Sequence, residues 1–299
     1  MVYLKAQNKT STLNEKHQAV NVKNGDIMAV ANDRPVIIPP TTTIIDSIKT
    51  MAGNSSRRLI VADAGTKRLE AILTSTDIMS FLGGENSQLV EKHFKGNFLA
   101  AANAEVRNIM HENVTYLDRH ASIEDAIKIM IKQNIGGVPI VDEKKCVCGI
   151  CTEKDFLRVV AEVPANKSVD QYMSKRVKKA PSDTTIENAA KMMIENRIRR
   201  LPVIKDNILL GLVTASDMVE YLAEGHAFEN IVTGNFHEAF NVPVSSLIKK
   251  DLVWASSDTD LGEAAKIMRN NDVSSLPVID DGVLCGIITE RDILRAISE

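Results

Sequence analysis

Apolar and polar positions follow the same order four times along this chain. In each block a short apolar segment leads through a polar turn into apolar or small residues spaced i, i+3, i+4 and i+7, as from Ile186 to Met193. This spacing places the apolar side chains on one face and predicts an amphipathic helix. A residue that favours a helix N-cap stands directly before each helix: Thr43, Ser122, Thr185 or Asp260.

Two apolar runs separated by a polar turn follow each helix and predict a β-hairpin. In three blocks these runs cover residues 138–141 and 147–151, 201–204 and 209–213, and 276–279 and 283–288. First strands are predicted at 35–38, 113–117, 177–180 and 252–255. A second helix is predicted after each hairpin, which gives the order strand, helix, strand, strand, helix. The first block is the least regular, with Ile60 where the others carry Pro and Ala71 where they carry Gly.

The repeat has a second level. Residues 96–106 and 234–244 share Gly, Asn, Phe, Ala, Asn and Val in register, which indicates that a two-copy module was duplicated. The predicted repeats cover 28–82, 106–160, 169–222 and 244–298. An N-terminal segment (1–27), connecting helical segments (83–105 and 223–243) and a linker with Pro and polar residues (161–168) complete the chain. The fold class is α/β (α+β), built from four βαββα units.

Composition excludes several classes of protein. The chain has 299 residues, of which 44% are hydrophobic and 25% charged, as in soluble globular proteins. It has no apolar run of about 18 to 20 residues and no secretory signal at its start, so a cytoplasmic protein with no membrane association is expected. A net charge of -3 gives no overall attraction to a phosphate backbone, which disfavours nucleic acid as a partner.

Catalytic and metal-binding motifs are not evident. Cys146, Cys148 and Cys151 are close in sequence, but Cys148 and Cys285 each precede a Gly at the same place in their repeats. Small apolar strand residues explain this better than zinc ligands, which need a second matching pair. The sequence contains no Gly-x-Ser-x-Gly, phosphate-binding Gly-Lys-Ser/Thr loop or His-Glu-x-x-His motif. We expect no enzyme activity and no metal.

The recurrent chemical feature is a Thr-x-x-Asp step at the start of each second helix. One interpretation is a capping box, although capping boxes favour Glu or Gln over Asp. In the other, the threonine and the helix N-terminus face a phosphate and the aspartate accepts hydrogen bonds from ribose hydroxyls. The residues alone leave both open. The eight positions are Thr74, Asp77, Thr152, Asp155, Thr214, Asp217, Thr289 and Asp292.

Basic and aromatic residues near this step are candidate ligand contacts. Arginine pairs, whose guanidinium groups match phosphate oxygens, precede the second strand of the odd repeats: Arg57, Arg58, Arg199 and Arg200. They also fit a solvated edge strand. Lys154 and Arg291 stand one residue before the aspartate in the even repeats, a position more typical of ordinary first-turn surface residues, and are weaker candidates. Tyr116 and Trp254 share a place on the even first strands, where an aromatic ring stacks on a base or fills the core.

The helix stripe, the hairpin Arg199 to Ile204 and the step Gly211 to Asp217 together resemble the cystathionine β-synthase (CBS) domain. The resemblance covers roughly residues 28 to 298, and the first copy departs most. It implies that repeats pair through their sheets into two Bateman modules, in a pseudo-two-fold disc similar to the γ subunit of AMP-activated protein kinase. In that family adenosyl ligands bind in the clefts between paired repeats.

The resemblance implies a role for each candidate residue. The four Asp residues hold ribose, the four Thr residues lie beside the phosphate, and the Arg pairs point at phosphates. In the even repeats, phosphate charge is then met by arginines of the paired copy or not at all. Lys154 and Arg291 are included as weaker phosphate contacts. Residues on the first strands border the adenine: Val36 to Ile38, Val114, Val177 and Leu252.

The expected function is a non-catalytic sensor that binds AMP or ADP, with ATP as a further ligand, and transmits occupancy to an unidentified protein partner. The chain is expected to form a monomeric four-repeat disc or a homodimer. A scaffold whose clefts bind no nucleotide is the first alternative. Recognition of S-adenosylmethionine or nucleic acid is the second, and the paired arginines favour a phosphorylated ligand over a sulfonium cation.

Overall fold

The structure is a computed structural model that describes residues 3–6, 18–21, 25–83, 87–161, 165–229, 236–248 and 252–299. The strands in these ranges are β1 (Tyr3–Ala6), β2 (Gln18–Asn21), β3 (Ile37–Ile38), β4 (Arg58–Ala62), β5 (Leu69–Thr74), β6 (Leu117–Asp118), β7 (Gly137–Val141), β8 (Val147–Thr152), β9 (Ala180–Pro181), β10 (Arg200–Lys205), β11 (Ile208–Thr214), β12 (Ser275–Asp280) and β13 (Val283–Thr289). The α-helices are α1 (Ile44–Gly53), α2 (Ser75–Gly83), α3 (Ser87–Phe94), α4 (Phe98–Ala102), α5 (Ile123–Gln133), α6 (Glu153–Val160), α7 (Ile186–Glu195), α8 (Ala215–Ala223), α9 (His226–Glu229), α10 (Phe236–Phe240), α11 (Leu261–Asn270) and α12 (Glu290–Ser298). Parts of the predicted linker 161–168 and of the motif at 234–244 lie outside the described residues.

The order strand, helix, strand, strand, helix is confirmed. In every repeat the two long strands form an antiparallel hairpin, and each hairpin has a register irregularity toward the end of its first strand. The first strands are shorter than predicted. They begin at Ile37, Leu117 and Ala180 and pair in parallel with the hairpin over two residues. In the fourth repeat this strand is a single parallel bridge from Ala255 to Val278.

The predicted helix stripes and caps are also confirmed. Side chains on the apolar face of α7, from Ile186 to Met193, are fully buried, and the faces of α1, α5 and α11 are buried in the same way. The helices begin at caps that the sequence predicted, namely Thr43, Ser122, Thr185 and Asp260. Each cap side chain accepts a backbone N–H of the first turn, which satisfies a donor that the helix leaves unpaired.

The first residues of each repeat contact the hairpin of the neighbouring repeat. We call these the exchanged segments: 27–32, 106–111, 169–174 and 244–248. Segment 27–32 lies at the start of repeat 1, yet the Asn32 N–H and C=O bond to Ile150 of repeat 2 at 2.9 Å each. In return His111, at the start of repeat 2, forms the same bridge with Ile72 of repeat 1.

The same exchange occurs in repeats 3 and 4. Ser174, at the start of repeat 3, bridges to Ile287 of repeat 4. Val244, at the start of repeat 4, donates its N–H to the Thr184 carbonyl of repeat 3 at 2.7 Å. Each exchanged segment also places one fully buried aliphatic residue under the other repeat: Ile27, Val106, Val169 or Val244.

Glycine allows this close approach in three repeats. A Cβ at Gly149 would lie 2.9 Å from the Asn32 carbonyl oxygen, and one at Gly286 would lie 3.1 Å from the Ser174 carbonyl oxygen. At Gly211 an added Cβ would collide with the Ile248 side chain. Repeat 1 instead accommodates Ala71, which is fully buried.

The chain divides into two compact units that each hold alternate repeats. One, the even unit, consists of Met1–Pro35, Thr115–Val177 and Val253–Glu299; the other, the odd unit, consists of Val36–Val114 and Lys178–Leu252. In the odd unit, helices α1 and α2 of repeat 1 pack against α8 and α7 of repeat 3. In the even unit, α6 of repeat 2 packs against α11 and α12 of repeat 4. The sequence did not indicate this pairing.

The interiors of the two units are stabilised by different kinds of contact. The odd unit has one continuous core with a run of aromatic rings, in which Phe98 lies 5.9 Å from Phe81 and 5.3 Å from Phe240 between ring centroids. The even unit has two smaller apolar cores, and charged side chains lie between its repeats. Aromatic pairs stabilise beyond their buried area.

Candidate functional site

The four threonine–aspartate pairs have the same geometry. In each, the aspartate Oδ2 accepts both the N–H and the hydroxyl of its threonine, at 2.6 to 2.9 Å. The capping interaction that the sequence left open is therefore present. The other carboxylate oxygen, Oδ1, is not used by the threonine and lies at the first turn of the helix.

Aspartate in place of glutamate does not by itself indicate a ligand. Asp125 accepts the N–H and hydroxyl of Ser122 in the same way at the start of α5, and Asp46 accepts the Thr43 hydroxyl at α1. These two aspartates are exposed, whereas Asp77, Asp155 and Asp292 are buried. Asp217 is half-buried. Burial, rather than residue type, therefore separates the four motif aspartates from ordinary caps.

The odd repeats bring arginine next to the motif. Arg58 is directly opposite Thr74 in the hairpin, and Arg200 is directly opposite Thr214. The preceding arginines lie at the same strand ends, because the Arg57 carbonyl accepts the Ser75 N–H and the Arg199 carbonyl accepts the Ala215 N–H, both at 3.0 Å. The backbones of the two arginines, the threonine and the helix N-terminus thus lie at the same end of each odd hairpin.

The even repeats are different at the same positions. Gly137 and Ser275 stand opposite Thr152 and Thr289, and the next residue after each threonine is a glutamate. Glu153 and Glu290 are both buried. Anionic ligands are therefore favoured at the odd hairpin ends by charge, whereas the even ends carry buried carboxylates.

Lys154 and Arg291, two of the sequence candidates, contact protein groups in the even unit. Arg291 Nε lies 2.6 Å from Glu153 Oε1, and its Nη1 donates to the Asn134 carbonyl at 3.0 Å. Lys154 pairs with Asp272. Asn134 and Asp272 occupy matching left-handed positions after α5 and α11, so the two contacts are related by the repeat symmetry. These pairings favour a structural role for both residues.

Burial shifts the electrostatics of the second repeat. The pKa of Asp155 is raised, chiefly by its burial and despite the hydrogen bonds from Thr152, which act in the opposite direction. Glu290 adds to the increase through its negative charge, while Arg158 opposes it. A donor that approached Asp155 would therefore relieve an unfavourable buried charge.

The predicted adenine-bordering residues occupy similar positions in their repeats. Val36, Val114, Val177 and Leu252 are all half-buried. Ile38 is buried in the core of the odd unit. The Val36 carbonyl accepts the Ile60 N–H at 3.0 Å, which fixes this first strand against its hairpin.

The two even first-strand aromatics are exposed and are not core residues. Tyr116 is 40% exposed and Trp254, the sole tryptophan, is 51% exposed. The Lys145 ammonium lies 5.5 Å from the centre of the Tyr116 ring, in a cation–π contact. Exposure leaves the Trp254 ring open to a stacking partner.

His111 is a site residue that the sequence did not reveal. Its Nε2 lies 2.7 Å from Oδ1 of Asp77. Hydrogen bonding to Asp77 and the charge of that carboxylate raise the pKa of His111. No local motif marks it, because His111 reaches the aspartate through the exchanged segment 106–111.

The cysteines behave as strand residues. Cys148 and Cys285 each direct Sγ to the carbonyl oxygen two residues earlier, at 3.5 and 3.3 Å, which confirms their equivalence. Cys151 is fully buried, and burial raises the pKa of its thiol well above the ordinary range. Among the described residues, no group of three His, Cys, Asp or Glu side chains is arranged to hold a metal ion.

Comparison with known families gives the repeat its identity. A family model for the CBS domain matches residues 25–84, 106–162, 169–224 and 244–299. The chain belongs to the CBS domain family. The resemblance drawn from the sequence and the four-repeat fold class are thereby confirmed, including the irregular first copy.

Two relatives of this CBS-domain chain come from archaea. Uncharacterized protein MJ1225 of Methanocaldococcus jannaschii is 36% identical over 273 residues, covering 90% of this chain and 98% of that protein. Its crystal structure, entitled as that of a candidate archaeal homologue of γ-AMPK, matches 91% of this chain and 99% of its own with a TM-score of 0.86. An uncharacterized 33.4 kDa protein of Thermofilum pendens is 28% identical over 261 residues, covering 86% of each chain.

A further crystal structure, of an uncharacterized conserved protein from Pyrococcus horikoshii, has the same fold with a TM-score of 0.59 at 19% identity, over 91% of this CBS-domain chain and 99% of its own. Across the described part of the chain, every helix is too short or too polar to span a bilayer.

Proposed function

We propose that this four-repeat CBS protein is a non-catalytic sensor of adenine nucleotides, with AMP and ADP as its main ligands and ATP as a further one. The observation that carries the proposal is the set of four equally placed, buried or half-buried aspartates at helix N-termini, two of them beside paired arginines. The similarity to MJ1225, entitled a candidate homologue of γ-AMPK, supports a regulatory role.

Acceptor geometry supports a ribose role for the aspartates. A carboxylate offers about four acceptor positions, and the threonine N–H and hydroxyl use two of them, both on Oδ2. In this proposal a ribose diol donates its two hydroxyls to Oδ1, the oxygen that the threonine does not use. The capping bonds hold the carboxylate in one rotamer, so a ligand meets a preorganised acceptor.

Charge supports a phosphorylated ligand at the odd repeats. Arg58 and Arg200 stand across from the threonines, and guanidinium groups bind phosphate oxygens in a fork geometry. A helix N-terminus adds backbone donors and positive partial charge. We therefore expect repeats 1 and 3 to contribute most of the affinity for phosphate, and repeats 2 and 4 to contribute ribose and base contacts.

Binding is proposed to act through the arrangement of the repeats. A ligand shifts a conformational equilibrium only as far as its affinity differs between the two states, and such coupling is typically about 1 to 3 kcal/mol. We propose that an unidentified protein partner senses this change in a cytoplasmic, monomeric or homodimeric protein.

The decisive experiment is calorimetric titration of AMP, ADP and ATP into the protein and into Asp217→Asn and Asp155→Asn. Asparagine retains an oxygen for the cap but loses the charge and acceptor capacity, so affinity should fall while the fold persists. Asp125→Asn is the matched control, because Asp125 makes the same cap on an exposed helix. Equal affinities in all four proteins would exclude the ribose role.

A scaffold without nucleotide is the competing function, and the capping bonds favour it because they explain the aspartates without a ligand. Thermal unfolding separates the two. A ligand present at about 100 times its dissociation constant adds about 2.7 kcal/mol to stability, whereas a scaffold shows no shift with any nucleotide. Trp254 fluorescence gives a second readout, and S-adenosylmethionine and single-stranded RNA belong in the same panel.

A further inference from the structure

In the first repeat, a histidine contacts the motif aspartate. Asp77 has the same two bonds from Thr74 to Oδ2, and in addition His111 Nε2 lies 2.7 Å from Oδ1. The Asp77 side chain is 5% exposed, whereas the His111 side chain is 70% exposed. A solvent-accessible imidazole therefore contacts a buried carboxylate.

His111 owes this contact to the exchanged segment. The backbone bridge places His111 opposite Ile72, and Ile72 is five residues before Asp77 in the sequence. Asn32 and Ser174 occupy the same register opposite Ile150 and Ile287, each of which is also five residues before a motif aspartate. The three residues therefore hold the same backbone position relative to a motif aspartate of the other repeat.

The side chains at this position are not equivalent. The Asn32 side chain is turned to its own backbone, where Oδ1 accepts the Arg34 N–H at 3.0 Å. Ser174 is too short to match the reach of an imidazole. Lys249, the fourth equivalent by sequence, lies outside the described residues.

We propose that the His111 imidazole competes with a ribose diol for the Asp77 carboxylate and thereby weakens nucleotide binding at repeat 1. This inference rests on the proposed function, because it takes the Asp77 carboxylate as a ribose acceptor. Threonine and histidine together use both oxygens of Asp77, so a diol binds in full only after the His111 bond breaks. Breaking an accessible charge-assisted bond costs little, so the site is weakened and not abolished.

The test isolates repeat 1. In a chain carrying Asp155→Asn, Asp217→Asn and Asp292→Asn, Asp77 is the one motif aspartate that keeps its charge. Calorimetry with AMP should show binding about 3- to 10-fold tighter after His111→Ser is added. Adding Asp77→Asn to that variant should remove the gain. When His111 is retained in the same chain, Asp77→Asn should lower the AMP affinity by a smaller factor.

A reciprocal variant tests whether the position itself carries the effect. With Asp77, Asp155 and Asp217 all replaced by Asn, Ser174→His should weaken AMP binding at Asp292 by a similar factor. His120→Ser is the control for losing a histidine, because its backbone N–H, and not its ring, contacts Asp118. It should leave AMP affinity unchanged.

Ring ¹⁵N spectra give a readout in the otherwise native chain, where folding of the multiple variant is not in question. Saturating AMP should move the His111 ring resonances toward those seen in Asp77→Asn. Unchanged resonances, or equal AMP affinity with and without His111→Ser, would overturn the inference while the native chain still binds AMP. Failure of the native chain to bind any adenine nucleotide would instead reject the proposed function.

Discussion

Arg291 of repeat 4 forms an ion pair with Glu153 of repeat 2, with 2.6 Å between Nε and Oε1. The two side chains are 13% and 2% exposed. Removing the partner of a buried charge is far more damaging than removing the pair, because the remaining charge stays out of water. Arg291→Met should therefore lower the free energy of unfolding by about 3 kcal/mol, measured by urea denaturation.

The double variant Arg291→Met/Glu153→Gln should recover most of that loss. The symmetry-related pair gives the control, since Lys154 and Asp272 are largely exposed. Asp272→Ala should cost less than about 1 kcal/mol. If Arg291→Met destabilised the protein as little as Asp272→Ala, the buried pair would not be what holds repeats 2 and 4 together.

The close approach at Gly149 predicts a steric cost. An added methyl would lie 2.9 Å from the Asn32 carbonyl oxygen, and the backbone on both sides is held by reciprocal hydrogen bonds. Gly149→Ala should destabilise the protein by about 1 to 3 kcal/mol in thermal or urea unfolding.

Gly53 is the matched control, because an added Cβ there meets nothing within 4 Å near the end of α1. Gly53→Ala should be neutral or stabilise by up to about 1 kcal/mol. A Gly149→Ala protein as stable as Gly53→Ala would mean that the exchanged segment 27–32 is free to shift.

The His111–Asp77 contact predicts a pH dependence of stability. Because the folded-state pKa of His111 is raised, the pair contributes fully below the unfolded pKa of about 6.5. Its contribution is lost as the pH rises through the higher folded value. The difference in unfolding free energy between the native chain and His111→Gln should therefore shrink as the pH rises from below about 6.5 through the raised folded-state pKa. A difference that stays constant with pH would show that the pKa of His111 is the same in the folded and unfolded states.

The buried charge and the capping bonds of Asp155 predict that Asp155→Asn and Asp155→Ala change stability in different ways. Its pKa is raised by burial, so the folded state is stabilised below the ordinary carboxyl range and loses that contribution as the pH rises through the raised value. At neutral pH, Asp155→Asn removes an unfavourable buried charge and keeps an acceptor for Thr152, so its thermal stability should equal or exceed that of the native chain.

Asp155→Ala removes the cap as well and should cost about 0.5 to 2 kcal/mol. Thermal unfolding at pH 4 and pH 7 would measure both variants. Greater stability of the alanine variant than of the asparagine variant would contradict the capping role of Asp155.

The sequence predicted the local elements well, since their causes lie within a few residues. The i, i+3, i+4, i+7 stripe at Ile186 to Met193 and the cap at Thr185 depend on neighbouring residues alone. Thr214 and Asp217 were recognised as a unit for the same reason, because a helix N-terminus needs partners for its own first-turn N–H groups. The first strands came out shorter than predicted, since only residues facing the hairpin can form the ladder.

The sequence by itself determined that this is a four-repeat CBS protein with capped, amphipathic helices and recurrent aspartates. Only the tertiary structure decided which repeats pack together, that 106–111 crosses to repeat 1, and that Lys154 and Arg291 contact protein groups while His111 contacts Asp77. The physical reason is that four similar units present similar apolar faces, so periodicity fixes which face is buried but not its partner. That choice depends on the fit and charge of side chains far apart in the chain, which no local pattern records.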